Sequence, residues 1–298
     1  MAKLDDLHHL NLGKRTRLHR MMYEHGPGNG TLLILPIDQG MEHGPVDFFT
    51  EHDCLNPEYQ FNLAVEGGYS AIALHLGLAE KYAPTFAGKI PIVLKINGKT
   101  RIPSSNEPVS PMTGSVEDAV RIGADAVGYT LYVGSPKQHI DFTQFRKVKE
   151  DAERYGMPII VWAYPRGDAV ESKGGRDSLY AIDYAARVAD ELGADVVKLN
   201  VPTTSAKSRS IQPPPYDTLN LSTDEMVAKV VRSAGKTLVL FSGGGLATDD
   251  EVIERAKICM KQGATGLIFG RNLWQRSWDD ALKMTKALKD IMLKAKES

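Results

Sequence analysis

Short apolar runs recur about every 30 residues along the chain, and amphipathic stretches fill the intervals between them. The runs are Leu32–Asp38, Ser70–His75, Ile92–Asn97, Asp125–Leu131, Ile159–Tyr164, Val196–Val201, Leu238–Ser242 and Gly266–Phe269. Each has the length and apolar content of a buried strand. The amphipathic stretches predict helices over Pro57–Glu66, Ser115–Ile122, Asp141–Tyr155, Ser178–Leu192, Ser222–Ser233, Asp249–Gln262 and Asn272–Lys294, with a shorter one at Leu78–Ala83. Several of these open on a Ser, Asp or Asn suited to an N-cap. Glycines in EGGYSA, RIGADA, ELGADV and KQGATG fall where a helix must end before the next strand begins. Eight strand-then-helix units without a composition break predict an α/β fold, a (β/α)8 TIM barrel over residues 1–298, with residues 1–30 as an N-terminal helical extension. A doubly wound open sheet is the alternative.

Alternation within the strands sorts their side chains between the two faces of the sheet. In DVVKLNVP the apolar set Val197, Leu199 and Val201 belongs toward the helices, which turns Lys198 and Asn200 inward. The same count sends Ile160, Trp162 and Tyr164 inward from IIVWAYP, Val93, Lys95 and Asn97 from IVLKIN, and Asp38 from the end of LLILPID. Catalytic residues of such barrels lie at the C-terminal ends of the strands, so Asp38, Asn97, Tyr164, Lys198 and Ser242 are expected at one mouth.

A lysine buried in a strand loses affinity for its proton and becomes a nucleophile toward carbonyls, or else it sits in an ion pair. Lys198 fits either description, with Asp38 as the partner in the second, and Lys95 competes for the first. FSGGG at residues 241–245 and IFGR at 268–271 follow strands seven and eight. Glycine N–H groups there approach an anion closely, and Arg271 can form a charge-assisted fork to a phosphate. Lys207 and Arg209, in the Pro-rich loop over 203–221, read first as exposed loop charge, with a second phosphate contact as the alternative, and a loop of that length can act as a lid.

Composition excludes several other classes of function. Lys and Arg number 36 against 37 Asp and Glu, a net charge of −1, which argues against nucleic acid or an anionic membrane as a partner. The KRTRLHR cluster at 14–20 reads as the solvated face of a helix. None of the eight histidines forms an HxxxH or HExxH pair, and Cys54 and Cys259 are remote from each other, so no metal or other cofactor is expected. His43 and His75 read as structural residues near the mouth. No apolar run approaches the roughly 20 residues of a membrane span, and MAKLDDLHHL lacks the apolar core of a signal peptide, which predicts a cytoplasmic protein.

The stretches LPIDQGMEHG, VLKIN, SVEDAVRIGADAVGYTLYVGS, VWAYPRG, GADVVKLNVP, FSGGG and GLIFGRNLWQR closely resemble, in order over about residues 31–278, the archaeal-type class I fructose-bisphosphate aldolases of the DhnA family. The resemblance implies a homo-oligomeric Schiff-base enzyme acting on a phosphorylated sugar. Lys198 would attack the ketone carbon, and Tyr164 would be the acid/base at the C4 hydroxyl. Asp38, Trp162 and Arg166 would position the substrate, and Ser242, Gly243, Gly244, Gly270 and Arg271 would hold the C1 phosphate. Related members act as an aminodideoxyheptulosonate synthase or an autoinducer-phosphate thiolase. A phosphate-ester binding barrel without turnover is the reading from a different class.

Overall fold

The computed structural model describes residues 4–50, 54–104 and 106–295 of the chain. Eight parallel strands close in sequence order into a barrel, with β8 paired back to β1, which rules out the open sheet. They are β1 Leu32–Pro36, β2 Ala71–His75, β3 Ile92–Lys95, β4 Ala126–Leu131, β5 Ile159–Ala163, β6 Val196–Leu199, β7 Leu238–Ser242 and β8 Gly266–Ile268. The principal crossover helices are α1 Pro57–Glu66, α2 Leu76–Tyr82, α3 Val116–Arg121, α4 Gln138–Tyr155, α5 Leu179–Leu192, α6 Thr223–Ser233, α7 Asp249–Lys261 and α8 Trp278–Lys294.

Sequence alternation becomes two separate apolar layers. The outward set, including Leu33, Leu35, Val161, Val197 and Phe241, packs under the helices. The inward set, including Ile34, Val93, Ile160, Trp162, Val196 and Leu240, fills the barrel. Leu18, Met21 and Met22 of the N-terminal extension join the inner layer and close the end opposite the mouth. The extension is tied there by Lys14, fully buried, whose Nζ lies 2.6 Å from Glu153 and 3.0 Å from Asp195. Gly128 on β4 leaves room in this layer: a Cβ there would come within 2.7 Å of Lys95 Cδ and 2.8 Å of Trp162 Cζ3.

The helix-ending glycines Gly68, Gly123, Gly193 and Gly263 all take positive φ, the conformation that favours glycine. Ser115, Ser178, Ser222 and Thr248 cap the helices that follow them through their side chains. Two expected boundaries are corrected. Helix α4 starts at Gln138 rather than Asp141, because Asp141 faces the sheet and accepts from Tyr129 Oη at 2.7 Å and Tyr132 N at 2.9 Å. The stretch read as one helix from Asn272 is two, Arg271–Trp274 and α8, because Ser277 interrupts the backbone to cap α8. No helix among the described residues is long and apolar enough to cross a membrane.

Candidate active site

Strand alternation delivers the inward residues to one end of the barrel. Asp38 lies two residues past β1, Lys95 ends β3, Tyr164 follows β5, Lys198 lies within β6 and Ser242 ends β7. Register places Thr130, Trp162 and Lys198 side by side across β4, β5 and β6. Above them opens a cavity of about 930 Å³, lined by Asp38, Tyr164, Arg166, Lys198, Ser242 and Arg271 among others. Trp162 and Lys95, both fully buried, lie beneath it rather than on its wall. Asn97 turns away from the cavity to stitch strands together, donating to Thr130 O at 2.8 Å and accepting from Thr130 N at 2.7 Å.

The two inward lysines have opposite electrostatic surroundings. Lys95 Nζ lies 3.0 Å from Glu42 Oε1, 3.3 Å from Asp38 Oδ2 and 2.7 Å from Thr130 Oγ1. Burial alone would lower its pKa, but Glu42 and then Asp38 outweigh burial and raise it above the ordinary lysine value. Asp38 responds in kind. Burial would raise its carboxyl, yet Lys95, then Lys198 and His75, hold it below the ordinary carboxylate range.

Lys198 has no carboxylate within ion-pair distance among the described residues, because Asp38 is taken by Lys95. The ion-pair alternative for Lys198 therefore fails in this structure. Burial is the dominant influence on its amine; Asp38 and then Glu42 oppose it, and Lys95 and Arg271 add to it. Its pKa is brought down to about 8. Its Nζ stands 5.1 Å from the Trp162 ring centroid and 5.6 Å from that of Tyr164. The phenol of Tyr164 is pushed well above its usual value by burial, with Glu42 and Asp38 adding to the effect. Its ring carries the Arg166 guanidinium at 5.1 Å on another side.

Across the mouth, the loops after β7 and β8 form the second half of the site. Gly243, Gly244 and Gly245 line the cavity beside Gly270 and Arg271. Arg271 is partly fixed, with Nη2 donating to Gly244 O at 3.4 Å and Nη1 lying 3.6 Å from Asp47 Oδ1. A Cβ on Gly270 would meet Gln39 Nε2 at 2.7 Å and Pro36 O at 2.9 Å, so only glycine lets β8 turn so close to β1. Ser242 Oγ donates to Asn200 Oδ1 at 2.6 Å, and Asn200 Nδ2 donates to Asp177 Oδ1 at 2.7 Å.

Several participants escaped the sequence reading. Glu42 sits in the Gln39–Glu42 turn of helix after Asp38, and only its proximity to Lys95 reveals its part. Asn272, buried, ties the glycine loop down by donating to Gly243 O at 3.3 Å and Gly245 O at 3.0 Å and accepting from Ala247 N at 3.0 Å. His43 lines the cavity and contacts Asp47 Oδ2 at 2.5 Å, whereas burial and neighbouring Lys95 lower the pKa of His75.

Lys207 and Arg209 belong to the loop surface and the alternative of a phosphate contact fails: neither lines the cavity, and Arg209 donates to Asn220 Oδ1 at 2.6 Å. Their loop is docked on α5, with Tyr216 Oη donating to Asp183 Oδ2 at 2.6 Å and Gln212 Oε1 accepting from Tyr180 N at 3.0 Å. No group of three or more His, Cys, Asp or Glu among the described residues is placed to hold a metal ion.

Comparison with known proteins places these features in context. Residues 32–276 match the model of the DeoC/LacD family aldolases. The chain is 38% identical to the class 1 fructose-bisphosphate aldolase of Thermoproteus tenax, over 90% of this chain and 92% of that one. It is 32% identical to the fructose-bisphosphate aldolase/6-deoxy-5-ketofructose 1-phosphate synthase of Methanocaldococcus jannaschii, over 90% and 83%. An archaeal fructose-1,6-bisphosphate aldolase, solved with its catalytic lysine covalently bound to the carbinolamine intermediate, superposes with a TM-score of 0.79 at 35% identity. That match covers 95% of this chain and all of the other.

Proposed function

The chain belongs to the DeoC/LacD family of aldolases, and we propose that it is a class I fructose-1,6-bisphosphate aldolase, working reversibly through an imine on Lys198. The observation that carries the assignment to Lys198 is its amine: buried, free of carboxylate partners and lowered to about 8, it opens on the same cavity as Tyr164 and the glycine–Arg271 rim. Lys95, ion-paired and held protonated, is unsuited to nucleophilic attack.

The neutral Lys198 amine adds to the C2 carbonyl, and loss of water leaves a protonated imine. Tyr164 then takes the proton of the C4 hydroxyl as that oxygen forms its carbonyl and the C3–C4 bond breaks. The bonding pair moves into the iminium to give an enamine, and glyceraldehyde 3-phosphate departs. A proton returned to C3 and hydrolysis of the imine release dihydroxyacetone phosphate and regenerate the amine. Burial and the acids around Tyr164 keep its phenol protonated in the free enzyme. The new cation on Lys198 offsets those acids, so the phenol's proton departs with the eliminated water as the iminium forms, leaving the phenolate that takes the C4 hydroxyl proton.

Asp38 and Arg166, on the cavity wall, position the sugar, whereas Trp162 lies beneath the cavity and supports Lys198 and Tyr164 rather than touching the substrate. The buried Trp162 indole N–H has no hydrogen-bond partner among the described residues, and its ring lies against the Lys198 amine instead. Ser242, Gly243, Gly244, Gly270 and Arg271 hold the C1 phosphate by glycine N–H groups and one guanidinium. The dual name of the Methanocaldococcus relative favours a second reading, in which the same enamine is passed to a different acceptor aldehyde. Purified protein is assayed for cleavage of fructose 1,6-bisphosphate alone and again with a second aldehyde offered as acceptor, where formation of a new ketose phosphate marks the second reading. Preferential turnover of fructose 1,6-bisphosphate supports the aldolase, and its absence refutes it.

A further inference from the structure

In the glycine turn after β7 the carbonyls are occupied and the N–H groups are not. Gly243 O accepts from Asn272 Nδ2 at 3.3 Å and from Arg255 Nη1, Gly244 O from Arg271 Nη2 at 3.4 Å, and Gly245 O from Asn272 Nδ2 at 3.0 Å. Ala247 N completes the set by donating to Asn272 Oδ1 at 3.0 Å. A single side chain, 3% exposed, therefore grips the turn from Gly243 to Ala247 from its buried side, and Arg255 adds a second hold from α7.

In a trans peptide the N–H points opposite to the carbonyl of the same plane, so a carbonyl that is held fixes the direction of the N–H that follows it. Gly243 O, drawn inward to Asn272, turns the Gly244 N–H outward. Gly245 O, drawn to the same amide, does so for Leu246. The N–H groups of Gly244, Gly245 and Leu246 have no hydrogen-bond partner among the described residues, and all three glycines line the cavity.

The two glycines next to these holds have no room for a side chain. A Cβ on Gly243 would come 3.0 Å from Asn272 Nδ2, and one on Gly244, at φ +71°, would come 3.1 Å from Arg255 Nη1. A run of glycines left to itself samples many backbone conformations, and ordering it on each binding event would weaken phosphate affinity. Asn272 and Arg255 remove that freedom before the ligand arrives.

We propose that Asn272 and Arg255 are positioning residues for the C1 phosphate. They hold the glycine turn with its N–H groups, that of Gly244 foremost, aimed at the anion, and they act through the backbone rather than on the sugar. The inference rests on the aldolase reading and deepens it, because it separates capture of the phosphate from the imine chemistry at Lys198.

The test uses the full-length enzyme, Asn272→Leu, which keeps the size of the side chain without its hydrogen bonds, and Arg255→Met. Affinity for inorganic phosphate is measured by phosphorus NMR titration. Borohydride trapping gives the half-saturating concentrations of dihydroxyacetone phosphate and of dihydroxyacetone, a ketone that needs Lys198 but not the turn. Both variants should bind inorganic phosphate and dihydroxyacetone phosphate about 10- to 100-fold more weakly, while half-saturation by dihydroxyacetone moves by less than about threefold. Equal losses for the two ketones would show that the residues act through the fold at large, and an unchanged phosphate affinity would show that the turn does not need them; either result overturns the proposal. If neither ketone is trapped on the unaltered enzyme while phosphate binding still weakens in both variants, the aldolase reading falls and the aiming of the turn stands.

Discussion

Lys95 and Lys198 hold their amino nitrogens 4.7 and 5.1 Å from the centroid of the same Trp162 ring, yet one is fixed as a cation and the other is brought toward neutrality. The difference lies in the carboxylates. Glu42 and Asp38 both reach Lys95, and neither comes within ion-pair distance of Lys198. Lys95 thus neutralises the acids that would otherwise keep Lys198 protonated, and its own charge presses the second amine further down.

A pKa of about 8 makes imine formation pH-dependent in a defined window. At pH 7.5 it leaves about a quarter of the Lys198 amines neutral, against about one in a thousand at the ordinary lysine value of 10.5. The acid limb of kcat/KM should therefore rise with pH and level off near 8. A limb still climbing at pH 10 would mean that the amine is not lowered.

Lys95→Met removes the shared partner of two acids. Stability should fall by about 3–5 kcal/mol at neutral pH, the range seen when one member of a buried ion pair is lost. In the unaltered protein the lowered Asp38 carboxyl stabilises the fold above the ordinary carboxylate range, and this is lost as pH falls through its depressed pKa. In the variant, burial without Lys95 raises that carboxyl, so acid should relieve the penalty. The Tm gap between the two proteins, followed by calorimetry from pH 7.5 to 4.5, should narrow. A constant gap would show that Asp38 and Glu42 do not depend on Lys95.

Tyr164→Phe keeps the ring beneath Arg166 and beside Lys198 and deletes only the hydroxyl. Cleavage of fructose 1,6-bisphosphate should drop by about 10²- to 10⁴-fold, as for a lost acid/base, while borohydride still traps substrate on the enzyme. Equal loss of trapping and cleavage would place the hydroxyl in imine formation alone.

Arg271→Ala should raise KM for phosphorylated substrates by about 10- to 100-fold with a smaller change in kcat, the signature of a lost charge-assisted contact. Steady-state kinetics with fructose 1-phosphate isolates this phosphate. An unchanged KM would move the anion site away from the β8 turn.

The strict alternation of the strands made much of this legible in the sequence. Counting from Val197 and Leu199 turned Lys198 inward, and counting from Leu33 and Leu35 did the same for Asp38, which is why both reach the mouth. Alternation gives a direction but no neighbour, so it could not separate Lys198 from Lys95. That distinction depends on Glu42, which reaches across from the turn after β1 to Lys95 on β3. The break before α8 was hidden because apolar periodicity runs on through Leu273, Trp274 and Trp278. Ser277 followed by Asp279 and Asp280 is the capping signal that marks it. For Lys207 and Arg209 a phosphate contact stayed an open alternative to plain loop charge, because charge along a loop says nothing about which face the loop presents.

The central claim, that Lys198 and not Lys95 carries the covalent intermediate, is tested most directly by where the substrate is trapped. The enzyme is incubated with dihydroxyacetone phosphate, reduced with borohydride, digested and mapped by mass spectrometry. The account predicts a single adduct on the peptide containing VVKLNVP, absent from Lys198→Met. An adduct on the peptide containing IVLKIN, or undiminished labelling of Lys198→Met, would contradict it.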